Sequence, residues 1–166
     1  MTGDAGAAPG APALALLAML GLARSGAAAD TPPDYPQGGA SFQSYCAVCH
    51  GPAGAGLPAL APPLLSYPAR YAASAEGRRQ LAMTLLYGMY GDIAVEGKHY
   101  AFRMPEFGQL DDASLAALLN FVVFEVAHAP ASVAPLTAAE IAAERVHPLD
   151  GAAVHEHRKS VAPEEP

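Results

Sequence analysis

The sequence predicts a mostly helical, all-α domain, and three observations carry that reading. Alanine, the strongest helix former, is the commonest residue in a chain that is 52% hydrophobic and 15% charged. Apolar residues recur at helical spacing across residues 76–87 and 111–126. The sixteen Gly and sixteen Pro gather in stretches that punctuate these segments. At 166 residues there is room for one ordinary domain. Sixteen acidic residues against nine basic ones leave −7 at pH 7, a balance that excludes nucleic acid as a partner, because phosphate binding needs positive charge. Two cysteines make no multi-disulfide scaffold.

Residues 11–23 are apolar apart from Gly21, which fits the ~7–15 residues of a signal-peptide core better than the ~20 of a membrane span. Small residues follow, and cleavage after Ala29 would leave Asp30 first; no Lys or Arg precedes the apolar run, where Asp4 stands instead. We therefore expect residues 1–29 to be a signal peptide and the protein to be periplasmic, tethered to a membrane only if the segment is retained. Residues 30–37 form a linker with Pro32, Pro33 and Pro36. A first helix runs from Gly38–Ser41 through Phe42 and Tyr45 towards Cys46, and residues 51–63 are a Gly/Pro-rich loop. Residues 68–73 read as a short helix and 76–87 as a firmer one, with Leu81, Leu85 and either Met83 or Leu86 inward and Gly88 and Gly91 as its end. Ile93–Val95 and Lys98–Tyr100 read as a small β-hairpin turning at Glu96-Gly97. Residues 103–110 are loop. Asp111 or Asp112 caps a helix whose Leu115, Leu118, Leu119, Val122 and Val126 share a face. The domain is expected at 38–128, with 129–166 as an Ala/Pro linker and a polar, solvated tail. That tail carries a short helix opened by the capping box Thr137-Ala-Ala-Glu140 and stopped by Pro148.

The string Cys46-Ala-Val-Cys49-His50 carries the chemistry. Cys-x-x-Cys-His is the attachment signature of c-type haem. Two cysteines three apart project from one helical turn and can form thioethers with the two vinyl groups of one porphyrin, with His50 placed beneath the iron. A zinc site would need four ligands, a thioredoxin-like dithiol would need a βαβ context, and a structural disulfide across two residues is the remaining rival. A distal thioether ligand would come from Met83, Met89 or Met104, with His99 as an imidazole alternative.

Together with this string, several positions resemble the class I cytochrome c family. Gly38 and Phe42 precede Cys46 by eight and four residues, Phe121 stands at the aromatic position of the last helix that in the family packs against that glycine, Gly51 follows His50, Pro62-Pro63-Leu64 follows the glycine loop, and Met104-Pro105 with Phe107 precedes the Asp111 helix. The resemblance covers residues 38–128. It implies a cytochrome c fold, helices wrapped round one covalently bound haem c, with Cys46 and Cys49 as attachment points. It further implies His50 as proximal and Met104 as distal iron ligand, and the Pro62 carbonyl as hydrogen-bond acceptor for His50. Tyr67, Arg70, Tyr71, Tyr87 and Tyr90 are unranked propionate donors. Leu64, Leu81, Leu85, Ile93, Phe107, Leu110, Leu118 and Val122 are expected to line the haem.

No catalytic constellation is present, so the expected role is single-electron transfer between a periplasmic or membrane-bound dehydrogenase and a downstream respiratory acceptor such as an oxidase or another cytochrome. The alternatives are a dedicated cytochrome subunit of a dehydrogenase complex, with the tail as docking arm, and a haem sensor or peroxidase with open iron. Residues 38–128 hold seven acidic and five basic residues, a balance of −2, and Lys98 is the sole lysine there, which excludes a lysine ring around the haem edge. His147, His155 and His157 are expected to be solvated in the tail, since His155 and His157 at i, i+2 do not share a helix face.

Overall fold

The computed structural model describes residues 1–3, 6 and 35–161. The chain divides into two units, Met1–Thr31 and Pro32–Pro166. Of the first, residues 1–3 and 6 have no regular secondary structure. The expected signal segment and its cleavage point lie outside the described residues.

Its first helical run comprises α1 (Pro36–Ser41), a π-helical stretch Phe42–Cys46, and α2 (Ala47–His50). After a loop come α3 (Tyr67–Ala72) and α4 (Ala75–Tyr87), the latter opened by Ser74, whose side chain accepts from the Gly77 N–H. The antiparallel hairpin β1 (Ile93–Val95) and β2 (Lys98–Tyr100) pairs Ile93 with Tyr100 and Val95 with Lys98. Glu96 and Gly97 both adopt positive φ, 52° and 71°, as a two-residue hairpin turn requires. Helix α5 (Asp112–Asn120) continues into a π-helical stretch Phe121–Val126 and is capped by Asp111, which accepts from the Ser114 N–H at 2.8 Å. Its predicted face is buried: Leu115, Leu118, Leu119, Val122 and Val126. Then come α6 (Ala138–Arg145), with both halves of its Thr137–Glu140 capping box formed, and α7 (Gly151–Val161).

Helix α1 crosses α5 at backbone contact. A Cβ on Gly38 would collide with the Ala117 carbonyl and lie 2.8 Å from Phe121 Cβ, so the crossing exists because residue 38 has no side chain. Phe42, fully buried, packs its ring 5.5 Å from that of Phe121. The packing of Phe121 against Gly38 is the contact the resemblance implied.

The C-terminal segment departs from expectation. It is not a solvated tail. Asn120, buried in α5, donates from Nδ2 to the Leu136 carbonyl at 2.9 Å and accepts from the Leu136 N–H at 2.7 Å, which pins the linker to the core. Arg78 of α4 grips Glu140 and the carbonyls of Ala134 and Pro135, while Arg145 of α6 reaches Asp112 and the carbonyls of Gly108 and Leu110. Helix α7 lies on α4, with Val154 fully buried. His155 donates from Nε2 to the Asp92 carbonyl at 2.8 Å, and His157 from Nδ1 to Gln80 Oε1 at 2.7 Å. His155 and His157 are therefore not solvated as expected: on opposite sides of the helix, each meets a different neighbour. His147 is exposed, as expected. Among the described residues no helix is long and apolar enough to cross a membrane.

Candidate haem site

The attachment string lies at the mouth of a large apolar cavity between the two hydrophobic clusters. One cluster centres on Phe42, Leu85, Leu115 and Leu118, and the other on Tyr67, Tyr71, Ile93, Val95 and Tyr100. The cavity is lined mostly by apolar side chains from both clusters, and part of it is open to solvent. Cys46, Cys49 and His50 line one side of it, and Met89 and Met104 line it too. Cys46 and Cys49 are free, so the disulfide rival is not formed here. Burial pushes the Cys46 thiol up to about 11, the reverse of the lowered value that makes a redox thiol nucleophilic. Among the described residues no group of three or more His, Cys, Asp or Glu could hold a metal ion, so a zinc site has no ligand set there.

His50 is buried, and its Nδ1 lies 2.8 Å from the Pro62 carbonyl oxygen. A carbonyl can only accept, so Nδ1 carries the proton and Nε2 is left with its lone pair, the form in which imidazole ligates a metal. Burial also lowers the His50 pKa, which favours the neutral ring. The loop is built to hold this contact. Gly56 has φ 76° and donates its N–H to the His50 carbonyl at 2.7 Å. A Cβ there would lie 2.6 Å from Pro63 N and 2.8 Å from the Pro62 carbonyl carbon, so glycine is what lets the Pro62 strand come close.

Also on the cavity wall, Met89 and Met104 pair as an isolated antiparallel bridge, each N–H donating to the other's carbonyl at 3.1 and 2.9 Å. Gly88, with φ 69°, lies directly against the Met104 carbonyl and allows this approach. The Phe107 N–H donates to the Leu85 carbonyl at 2.7 Å, which anchors the loop behind Met104 to α4. Met83 is buried but does not line the cavity, as its core assignment implied. His99 is exposed on the hairpin and bonded to Asp92 at 2.7 Å, which removes it as a ligand in this structure.

The predicted lining holds for Leu64, Leu81, Leu85, Ile93, Phe107, Leu118 and Val122. Leu110 is the exception: it packs on the main core instead, because its carbonyl is held by Arg145 of α6. Of the five propionate candidates, Tyr67 and Tyr71 line the cavity. Tyr87 donates to the Glu144 carbonyl at 2.7 Å, the Tyr90 ring carries the Arg103 guanidinium at 5.1 Å, and the Arg70 guanidinium stands over the Tyr67 ring. The Tyr71 hydroxyl is buried and has no hydrogen-bond partner among the described residues. A polar atom stranded in an apolar cavity costs about 1–3 kcal/mol unless a ligand satisfies it, so the donor set fits a cofactor that brings oxygen acceptors. Sequence reasoning missed Gln80, Thr84, Tyr100 and Arg158 as cavity residues. The first two sit in the polar half of a helix, and Arg158 comes from the segment read as tail.

A protein-family model described as cytochrome C oxidase, cbb3-type, subunit III matches residues 33–122. Two proteins named cytochrome c-552, both from Thermus thermophilus, are each 42% identical over 84 residues. That stretch is 51% of this chain and 64% and 57% of theirs, so the chain spans less than two thirds of the relatives it matches.

Proposed function

The chain belongs to the cytochrome c family whose model is described as cytochrome c oxidase, cbb3-type, subunit III, and on that premise we propose that His50 and Met104 are the two iron ligands of its covalent haem c and that it passes single electrons from a periplasmic or membrane-bound dehydrogenase to a downstream respiratory acceptor. As a member of the family it is a haem electron carrier. When bound, the haem supplies an iron that gains and loses one electron. The protein's residues do the rest. Cys46 and Cys49 would hold the porphyrin, the Pro62 carbonyl fixes the His50 ring, and the apolar walls would keep water from the metal. A dry, preformed lining limits reorganisation when the charge on the iron changes by one. Thioether ligation favours Fe(II) and raises the potential relative to two imidazoles.

The observation that carries this reading is the placement of His50 and Met104 as lining residues of one apolar cavity, with the His50 tautomer set by the Pro62 carbonyl. Met89 lines the same cavity, so the choice between the two thioethers is open to test. Met104 is favoured because Pro105 stiffens the loop after it and the Phe107 bond to Leu85 anchors that loop. The alternative of a dedicated dehydrogenase subunit loses the tail as docking arm, since α6 and α7 are spent on their own domain. Export by the N-terminal segment, with a periplasmic location, remains part of the proposal.

The test uses the mature holoprotein and the variants Met104→Ala and Met89→Leu. Wild-type Fe(III) protein should show the weak near-infrared band that the resemblance leads one to expect of thioether-ligated members. Met104→Ala should lose it, bind carbon monoxide when reduced, and fall in potential, while Met89→Leu should keep all three properties. Loss of the band in Met89→Leu alone would move the ligand to Met89. Ready carbon monoxide binding by the wild type would favour the open-iron sensor or peroxidase.

A further inference from the structure

Helix α7 lies beyond residues 33–122, the part of the chain that the family model matches. It nevertheless reaches the cavity. Its first residue is Gly151, where a Cβ would collide with the Tyr90 ring and lie 3.2 Å from Met89 Cα, and the Gly151 carbonyl accepts the Tyr90 N–H at 3.2 Å. One turn on, the His155 ring lies flat against Gly91, where any side chain would collide with it. His155 and His157 then fix the helix to the Asp92 carbonyl and to Gln80 of α4. These four attachments set the rotation of α7, and that rotation turns Arg158 into the cavity wall.

Arg158 is half-buried there, and its Nη2 lies 3.5 Å from the Ala94 carbonyl of β1. That long contact uses one of the five N–H groups of the guanidinium. The Tyr71 hydroxyl, buried on the same cavity wall and without a hydrogen-bond partner among the described residues, feels the Arg158 charge. A cation and a stranded hydroxyl on the wall of a mostly apolar cavity form a receptor for a single carboxylate.

We propose that Arg158 and Tyr71 together receive one propionate of the haem, so that the C-terminal helix is a working wall of the haem site and sets the reduction potential. The proposal rests on the haem reading above. The positive charge of Arg158 lies beside the cofactor and balances the carboxylate. It therefore favours the reduced iron, which carries one positive charge less. Both residues act as positioning groups for the cofactor.

The experiment is a redox titration of full-length holoprotein in five forms: wild type, Arg158→Gln, Arg158→Lys, Tyr71→Phe and Lys159→Gln. Lys159 is exposed on the same helix and paired with Glu156, so its variant removes one positive charge from α7 away from the cavity. Arg158→Gln should lower the midpoint potential, Arg158→Lys should restore most of it, and Tyr71→Phe should lower it by a smaller amount. Lys159→Gln should leave it unchanged. If Arg158→Gln undocks α7, Tyr71→Phe decides the matter, because it removes one oxygen and keeps the ring. A wild-type potential in both Arg158→Gln and Tyr71→Phe overturns the proposal, as does an equal fall in Lys159→Gln. Failure of the haem reading itself would look different: the wild-type protein would carry no covalently held haem on a denaturing gel.

Discussion

Replacing Asn120 with Leu should destabilise the protein through a single broken attachment. Asn120 is 5% exposed, and both ends of its amide are committed to the backbone of Leu136, itself 3% exposed. Leucine fills similar space and has no polar atoms, so the substitution strands one buried N–H and one buried carbonyl. Each unmet group costs about 1–3 kcal/mol, and the pair about 2–6 kcal/mol. The added apolar burial returns part of this, about 1.5–3 kcal/mol for a leucine side chain, so the net loss should be about 0.5–3 kcal/mol. With a slope of ~2 kcal/mol per molar urea, the unfolding midpoint should fall by ~0.25–1.5 M. Urea titration of the holoprotein by far-UV circular dichroism measures this. Amide exchange adds a local readout, because the Leu136 N–H loses its acceptor and should exchange faster than its neighbours in α5. A midpoint within ~0.2 M of wild type, with Leu136 still protected, would refute the claim that this amide holds residues 129–136 to the core.

The acid limb of stability should depend on Glu140. Its hydrogen bonds from Arg78 hold its carboxyl at about 2, below the ordinary value of 4.5, so its contribution is complete above 4.5 and disappears as pH falls towards 2. Glu140→Gln keeps a residue type that suits a capping box, yet it should flatten the dependence of the urea midpoint on pH in that window; an unchanged slope would place the acid sensitivity elsewhere. N-terminal sequencing of protein matured in a periplasm should begin at or within a few residues of Asp30, whereas an intact N-terminus in the membrane fraction would make the segment a tether.

The amino-acid sequence by itself determined those features whose causes are local. Asp111 and Thr137 are recognisable caps because the groups they satisfy lie three residues away. The hairpin is legible because Glu96-Gly97 supplies two positive φ values between alternating residues. The face of α5 is legible because five aliphatic side chains repeat at helical spacing. Cys46, Cys49 and His50 belong to one turn and announce their chemistry together. Pro62 and the Gly38–Phe121 contact were reached through the family resemblance, and the structure brings both pairs together.

Tertiary structure alone decided the distal and C-terminal sides. Met89 and Met104 are fifteen residues apart in sequence, and nothing in either local context says that their backbones pair. Asn120 looks like any polar residue at the end of a helix until Leu136 is found beside it. Helix α7 escapes a sequence reading because its docking face is not aliphatic. Apart from Val154, it is made of Gly151, His155 and His157, residues that a hydrophobic period cannot detect. Their burial is stabilised by hydrogen bonds to Asp92 and Gln80, 63 and 77 residues away along the chain. Such partners exist only once the fold has brought them together, and so does the place of Arg158 in the cavity wall, because the rotation of α7 is set by those same distant groups.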